Sequence, residues 1–322
     1  MDYLSRRMSE LQAFMNAGYD ALMSIVKLVD SLQAAGYIIG PGRNAMGGSL
    51  VNYHLGLTQI NPLDWNLSFP RFFNPTLQKS NILPRYEFDT DAPTDVVNAL
   101  AAEQGLELND NIRFYHLDIL EKLNKAQASI TGTSDSNFSL RHIPLDDEMT
   151  LDLFRKGDVS DIHLFQSPAM AEYLVDLKPD SFEELSALNA MYRPEQVYRI
   201  NTFIWEKRNG FRETGNAVID EIRRPTFGLI IYQEQIMELL LRHFGVEMEN
   251  VDKFRIMLSK GHTPLSVKAN YTSLLRREPI GKGVRAVAPR TFLKSHSIGQ
   301  TMIAFRQAYI KVHYPDVYKN LF

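Results

Sequence analysis

The chain has 322 residues, of which 44% are hydrophobic and 23% charged, with 35 basic against 38 acidic side chains. This balance is typical of a globular protein and excludes the disordered and fibrous classes, and the length favours two domains. The absence of cysteine excludes cysteine nucleophiles, iron–sulfur clusters and cysteine zinc sites, and it fits a reducing cytoplasm. No apolar run approaches the 18 or so residues of a membrane span, so we expect none.

Helical and strand patterns alternate in the front third of the sequence. Apolar residues recur at helical spacing from Leu4 to Met15 and from Leu22 to Leu32, which predicts two helices. A short apolar run then ends at Gly40-Pro41-Gly42, and the turn Gly47-Gly48-Ser49 leads into a helical pattern from Leu50 to Leu57. We therefore expect a strand, a glycine-rich loop and a helix in that order.

Two further strand patterns follow, separated by a helix pattern from Asp95 to Gln104. Tyr86 to Asp89 alternates aromatic and acidic residues, and Ile112 to Leu120 forms a second run. These elements predict an α+β fold with a mixed sheet and helices, followed by a linker over Ile130–Arg141 and a mostly helical second part. The helical patterns of the second part cover Ala169–Leu177, Phe182–Met191, Tyr232–Phe244 and Ile298–His313.

Glu87 and Asp89 are the sharpest chemical signal in the sequence. Residues i and i+2 of a strand point to the same side, about 6 to 7 Å apart, so the two carboxylates converge. Such a pair can bridge two divalent ions of the kind that catalyse phosphoryl transfer, with Asp118 on the second strand as a third ligand. The alternative is that the pair lies on the wet face of an antiparallel sheet.

Two other patterns have both a binding and a structural interpretation. The Gly47-Gly48-Ser49 turn could donate backbone N–H groups and a hydroxyl to a phosphate, or it could cap the helix that follows. From Tyr271 to His313, eight basic residues accompany a single acid, Glu278. This run predicts either a phosphate-facing surface or a solvated basic loop.

Several separate blocks, read in order, resemble the bacterial family C DNA polymerases, the polymerase III alpha subunits. In the front part the blocks are Gly40-Pro41-Gly42-Arg43, Gly48-Ser49-Leu50-Val51, Leu57-Thr58-Gln59-Ile60-Asn61-Pro62 and Arg71-Phe72-Phe73-Asn74-Pro75. Later blocks include Ile143-Pro144-Leu145-Asp146-Asp147, Ala187-Leu188-Asn189-Ala190-Met191-Tyr192-Arg193-Pro194, Ile231-Tyr232-Gln233-Glu234-Gln235-Ile236-Met237 and Lys294-Ser295-His296. Their agreement in family order makes coincidence a poor explanation.

The resemblance implies a palm over residues 1–129, similar to that of polymerase beta-like nucleotidyltransferases, and helical fingers over residues 130–322. It implies that Glu87, Asp89 and Asp118 are catalytic carboxylates that hold two Mg²⁺ ions, with Mn²⁺ as an alternative. The residues implied to bind the incoming nucleotide are Gly48, Ser49, Tyr192, Arg193, Arg255 and Lys260. The candidate DNA contacts are Arg276, Arg277, Lys282, Arg285 and Lys294.

The sequence also departs from the family pattern. Glu87 stands where the family has an aspartate, Asn44-Ala45 where it has Gly-Ser, and His116 where it has a lysine. Only 28 residues separate Asp89 from Asp118, too few for the thumb that the family inserts there. We also expect no phosphoesterase-like, clamp-binding or oligonucleotide-binding module, so partner proteins would supply the thumb, clamp or DNA-grip functions.

Three functions follow from this resemblance and these departures. The leading hypothesis is a DNA-directed DNA polymerase core that binds primer–template DNA and deoxynucleotides, without membrane association, in the cytoplasm of a bacterial or phage-infected cell. The alternative is a non-catalytic, polymerase-derived subunit that binds nucleic acid or scaffolds a replication complex. A template-independent nucleotidyltransferase is the third interpretation.

Overall fold

The computed structural model describes residues 3–74, 84–260 and 279–322, and α-helices dominate it. The front part contains α1 (Tyr3–Ala17), α2 (Tyr19–Ala34), α3 (Leu50–His54), α4 (Phe69–Phe72), β1 (Tyr86–Thr90), α5 (Thr94–Glu103) and β2 (Ile112–His116). The predicted alternation of helices and strands is confirmed here. The predicted strand before the glycine-rich loop is reduced to a single antiparallel bridge between Ile39 and Thr90.

The two strands pair in parallel, with Tyr86 opposite Ile112 and Thr90 opposite His116. On one face, Phe88 stacks on Phe114 with ring centroids 4.7 Å apart. All five residues of β1 are buried, so the predicted wet face of an antiparallel sheet is wrong. The second strand ends at His116, because the chain turns there into the next helix. Asp118 is the first residue of that helix, so its predicted position on the second strand is wrong.

Helices make up the second part of the chain, as the periodicity predicts. They are α6 (Asp118–Thr133), α7 (Glu148–Arg155), α8 (Pro168–Leu177), α9 (Phe182–Met191), α10 (Ile200–Asn209), α11 (Ala217–Arg223), α12 (Gln233–Glu238) with a π-helical turn over Leu239–His243, α13 (Met248–Ser259), α14 (Pro279–Val287), α15 (Lys294–His313) and α16 (Pro315–Leu321). The linker predicted over Ile130–Arg141 starts inside α6, which continues to Thr133. The boundary between residues 129 and 130 stays a prediction. The structure, mostly helical with a two-stranded parallel sheet among the described residues, is compatible with the predicted α+β class, although the expected sheet was mixed and larger.

Three clusters of buried apolar side chains hold these elements together. One joins α1, α2 and the strands around Phe14, Leu28 and Phe88. A larger one joins α6 to α10 with α15 and α16, and a third joins α11 to α14. Burying a large apolar side chain contributes about 1.5 to 3 kcal/mol, so each cluster is a substantial stabilising unit.

α15 connects the front part to the helical part. A Cβ atom added at Gly299 would lie 1.9 Å from the carbonyl oxygen of Gly42, so the helix backbone packs directly on the glycine-rich loop. Only a glycine permits this approach, because any side chain would displace the loop. Within the described ranges, no helix combines the length and the apolar character needed to cross a membrane.

Candidate functional site

Glu87 and Asp89, here called the acidic pair, lie side by side on one face of β1. They are 4% and 2% exposed, and the parallel register sets them opposite Arg113 and Tyr115 of β2. Desolvated carboxylates are costly unless other groups compensate them, so the partners of the acidic pair decide what it can do.

Asp89 has a cationic partner and an amide partner. The Arg43 Nη1 atom lies 2.6 Å from Oδ1 of Asp89, and Gln300 Nε2 donates to Oδ2 at 2.7 Å. The Arg43 guanidinium also lies 4.0 Å from the centre of the Tyr115 ring, an attractive cation–π distance. Burial raises the pKa of the Asp89 carboxyl, and the charge and hydrogen bond of Arg43, with the bond from Gln300, oppose this shift.

Glu87 is held by two neutral donors. The Tyr115 hydroxyl donates to Oε1 at 2.9 Å, and the Asn44 side-chain amide donates to Oε2. Asn44 and Glu87 both depart from the family pattern, and the structure brings these two departures into direct contact. The longer Glu87 side chain thus meets an amide that a glycine at position 44 could not provide.

The 40–44 loop, meaning residues 40 to 44, is itself anchored to the start of α15. The Asn44 backbone N–H donates to His296 Nδ1 at 3.1 Å, and the Ser295 hydroxyl donates to the Asn44 carbonyl oxygen. Burial, with Arg43 and Arg193 nearby, lowers the pKa of His296 to about 4. The imidazole is therefore neutral at pH 7, and its Nδ1 atom can accept the Asn44 N–H.

Asp118, the third predicted carboxylate, does not join the acidic pair. Its side chain is 90% exposed, and its Oδ1 atom lies 3.3 Å from His116 Nε2. In the strand, His116 points to the face opposite that of Tyr115, the residue that contacts Glu87. Contact with His116 therefore draws the Asp118 carboxylate away from the acidic pair.

Two magnesium ions do not fit the acidic pair in this arrangement. Magnesium requires several oxygen ligands in near-octahedral geometry, whereas each carboxylate oxygen of Glu87 and Asp89 already accepts a hydrogen bond from the protein. The Arg43 charge would also repel a dication at Asp89. In the part of the chain that the structure describes, no group of three or more acidic or histidine side chains could hold a metal ion.

The small-residue turn at Gly48 and Ser49 caps a helix. Ser49 is fully buried, and its hydroxyl accepts the Asn52 N–H at 3.1 Å while donating to Glu10 at 2.8 Å. The Gly48 carbonyl oxygen accepts a hydrogen bond from Arg6 at 2.8 Å. The capping interpretation is confirmed, and the Ser49 hydroxyl has no capacity left for a phosphate without breaking these bonds.

Tyr192 and Arg193, predicted nucleotide contacts, are engaged with their own neighbours. The Tyr192 hydroxyl lies 2.7 Å from the Ser167 hydroxyl. The Arg193 guanidinium lies 3.3 Å from the centre of the Phe292 ring, and its Nε atom donates to the Ala190 carbonyl oxygen at 2.9 Å. Burial lowers the pKa of Arg193.

Arg255 and Lys260, the other predicted nucleotide contacts, lie on and just after α13. Arg255 is 6% exposed and donates to Asp252 at 2.7 Å, so its charge is balanced inside the fold. Lys260 follows the last turn of α13 and is exposed. Of the two cations, Lys260 is the one that an external phosphate could reach.

The predicted DNA contacts fall into three groups. Lys282 and Arg285 lie exposed on α14, whose opposite side buries Val284. Lys294 instead turns inward: its ammonium donates to the Trp65 carbonyl oxygen at 2.7 Å, and burial lowers its pKa. Its position differs from the exposed one expected, because Lys294 begins α15 against the protein interior. Arg276 and Arg277 lie outside the described residues.

Sequence reasoning missed the residues that neutralise the acidic pair. The Gly40-Pro41-Gly42-Arg43 block by itself predicts no role for Arg43, and Gln300 lies 211 positions from its partner Asp89. A signal for Arg43 does exist, since it is the first cation after the Gly40-Pro41-Gly42 turn, which ends beside β1. The partnership with Gln300 has no local signal, because only the packing of α15 creates it.

Comparison with known protein families gives two matches. A model of the bacterial DNA polymerase III alpha subunit finger domain matches residues 119–276. A model of the NTPase domain of the bacterial DNA polymerase III alpha subunit matches residues 1–90. Residues 91–118, which contain β2, lie between the two matches.

Curated relatives carry the name DNA polymerase III subunit alpha. The relative from Borreliella burgdorferi is 29% identical over 221 residues, covering 64% of this chain and 19% of the relative, and the one from Halalkalibacterium halodurans is 29% identical over 224 residues, covering 66% and 20%. A relative from Streptococcus pyogenes is 23% identical over 449 residues, covering 99% of this chain and 43% of the relative. The chain thus spans less than half the length of these relatives. The last alignment is longer than the chain, so that relative has insertions that this chain lacks.

Proposed function

The chain belongs to the bacterial DNA polymerase III alpha subunit family, and on that premise we propose that it binds DNA in replication as a polymerase-derived, non-catalytic module. One observation carries the proposal: all four carboxylate oxygens of Glu87 and Asp89 accept hydrogen bonds from protein donors. The acidic pair then stabilises the contact between β1, the 40–44 loop and α15, and it does not depend on metal ions.

The contact between Asn44 and Glu87 supports this structural use. A metal site would need the Glu87 oxygens free, whereas an amide donor at position 44 occupies one of them. The Arg43 guanidinium likewise engages the Oδ1 atom of Asp89. Two neighbouring positions of one loop thus supply hydrogen-bond donors to both carboxylates, which is the arrangement expected when protein groups replace bound cations.

The exposed cations of α14 supply a surface for DNA. Lys282 and Arg285 are three residues apart, so they share one side of the helix. Cations that face solvent can neutralise phosphates and release counterions, which makes binding weaken steeply with salt. The net charge of −3 limits this interaction to a local patch.

Fluorescence anisotropy with a labelled primer–template duplex tests DNA binding by the full chain. We expect measurable binding, and we expect the double variant Lys282→Ala, Arg285→Ala to lower the salt slope of log K by about 2. The matched control is Lys125→Ala, Lys156→Ala, which removes the same charge from cations paired with Glu121 and Asp152. Equal losses in both double variants would contradict a site on α14.

A second candidate function is the DNA-directed DNA polymerase core, in which Glu87, Asp89 and Asp118 hold two Mg²⁺ or Mn²⁺ ions. The family register of the three carboxylates favours it. In this case Gly48, Ser49, Tyr192, Arg193, Arg255 and Lys260 would contact the incoming nucleotide. The Arg43 and Asn44 contacts would then have to break before metal binding.

Primer extension with Mg²⁺ and with Mn²⁺ separates the two candidates, and Asp118→Ala is the informative variant. Asp118 is so exposed that its removal should leave the fold intact. The matched control is Asp110→Ala, which removes another exposed carboxylate, 87% exposed and paired with Arg113. We expect no nucleotide incorporation by the unmodified chain or by either variant. Incorporation that Asp118→Ala abolishes and Asp110→Ala preserves would establish the polymerase instead.

A further inference from the structure

A cavity of about 420 Å³ lies between the 40–44 loop, α6 and α15. Among the described residues, its lining includes no aspartate and no glutamate. The lining instead carries neutral hydrogen-bonding groups and two cations, namely Gln59, Asn124, Gln127, Ser139, Arg141 and Arg306. We call it the Arg306 cavity. Its volume lies within the usual range of small-molecule sites, about 300 to 1,000 Å³.

Arg306 is a buried cation without a counter-ion among the described residues. It is 7% exposed, and its Nη2 atom donates to Gln59 Oε1 at 2.7 Å. Its Nε atom is buried without a hydrogen-bond partner. Buried polar atoms almost always have partners, so an orphaned donor beside a cavity indicates a missing acceptor.

Arg141 adds a second positive charge at the solvent-exposed side of the same cavity. Burial, together with the charge of Arg141, lowers the pKa of Arg306 to about 9. Asp91 contacts the lining residues Ile38 and Asn124, but its oxygens already accept the Ile38 N–H and the Asn124 amide, each at 2.7 Å. Both arginines therefore line one cavity, and among the described residues no carboxylate pairs with either of them.

We propose that the Arg306 cavity binds a phosphate-bearing small molecule, with Arg306 and Arg141 holding the phosphate groups. Guanidinium groups present planar, paired donors that match phosphate oxygens, and the amide and hydroxyl groups of the lining can complete the hydrogen bonding. The shared chemistry is a diphosphate or triphosphate, either as free pyrophosphate or as part of a nucleotide. The cavity is separate from the proposed DNA surface and from the predicted nucleotide contacts, with which its lining has no residue in common.

Isothermal titration of the full chain tests the proposal, with pyrophosphate, a deoxynucleoside triphosphate and inorganic phosphate as separate probes. The buffer contains a chelator and a fixed ionic strength, so that neither metal ions nor bulk salt changes between titrations. We expect Arg306→Gln and Arg141→Gln each to weaken binding about ten- to hundredfold, the effect of losing a charge-assisted hydrogen bond. The control is Arg208→Gln, which removes an equal charge from a side chain that is 54% exposed.

The three probes identify the source of the phosphate group. Tighter binding of pyrophosphate than of the triphosphate supports an inorganic ligand, and the reverse order supports a nucleotide. The proposal is overturned if no probe binds, or if Arg141→Gln binds as tightly as the unmodified chain. Arg141 is exposed, so this variant should fold even if Arg306→Gln does not. DNA binding by Arg141→Gln shows separately whether the proposed DNA function holds.

Discussion

Asp89, packed beside α15, and Arg306, within α15, are both buried charges, but among the described residues only Asp89 has a counter-ion. Asp89 receives Arg43 at 2.6 Å and Gln300 at 2.7 Å. Arg306 receives one neutral acceptor, Gln59, and its Nε atom has none. All four carboxylate oxygens of the acidic pair thus have protein donors, whereas no described carboxylate lines the Arg306 cavity. Family resemblance directs attention to the first region, and charge balance directs it to the second.

The comparison predicts opposite results when an arginine is removed from each region. Arg43→Ala leaves the Asp89 carboxylate buried without a cation, so we expect a loss of about 3 to 5 kcal/mol in the free energy of unfolding at pH 7, measured in urea. The loss should shrink at low pH. The pKa of folded Asp89 is already raised, and without Arg43 it rises further, so protonation at low pH restores stability.

Asp89→Asn in combination with Arg43→Ala completes the test. The asparagine needs no cation, so the double variant should be more stable than Arg43→Ala alone. A loss below about 1 kcal/mol in Arg43→Ala would show that the ion pair is weak and that Asp89 is available for another cation.

Sequence patterns predicted several helices well because apolar residues recur in them at helical spacing. Phe182–Met191 and Thr94–Glu103 are examples in which the predicted and observed ranges nearly coincide. The acidic pair was also located correctly on a strand. Its environment was not predictable, because Gln300 donates to Asp89 from the distant α15 and His296 of the same helix holds Asn44, a partner of Glu87. Long-range packing, and not local pattern, determines whether a carboxylate is wet, metal-bound or paired.

Titration of His296 tests how firmly the 40–44 loop is held to α15. Its pKa is about 4 in the folded chain, below the ordinary 6.5, so the unfolded chain binds the proton first as the pH falls. Stability from this group is complete above pH 6.5 and is lost between pH 6.5 and 4, by up to about 3 kcal/mol.

The measurement is the free energy of unfolding of the original chain and of His296→Gln across this range. Glutamine can still accept the Asn44 N–H but does not titrate, so the difference between the two curves isolates the imidazole. Parallel curves would mean that His296 is solvated and that the loop is not clamped to α15.

The contact between Gly299 and Gly42 packs α15 against the 40–44 loop, whose Arg43 and Asn44 bind the acidic pair. A Cβ atom at position 299 would lie 1.9 Å from the Gly42 carbonyl oxygen, and backbone cannot give way cheaply. We expect Gly299→Ala to cost about 2 to 3 kcal/mol in urea unfolding.

The control is Gly283→Ala on α14, where the new Cβ atom meets nothing within 4 Å. This control should be neutral or slightly stabilising, because alanine favours a helix more than glycine does. Equal behaviour of the two variants would contradict the tight packing.

The smallest expected effect on the free energy of unfolding is that of removing Arg306 from the Arg306 cavity. Arg306→Gln removes a buried charge that no carboxylate balances among the described residues, together with an orphaned Nε atom, and it gives up one hydrogen bond to Gln59. The pKa of Arg306, lowered to about 9, lies below its unfolded value, so the charged form costs stability at neutral pH. Loss of that cost should offset the lost bond, and we expect Arg306→Gln to lie between unchanged and about 1 kcal/mol more stable in ligand-free urea unfolding. Added pyrophosphate should reverse the order, because a ligand stabilises only the chain that binds it. A loss of about 3 kcal/mol without ligand would instead assign Arg306 a structural role like that of Arg43.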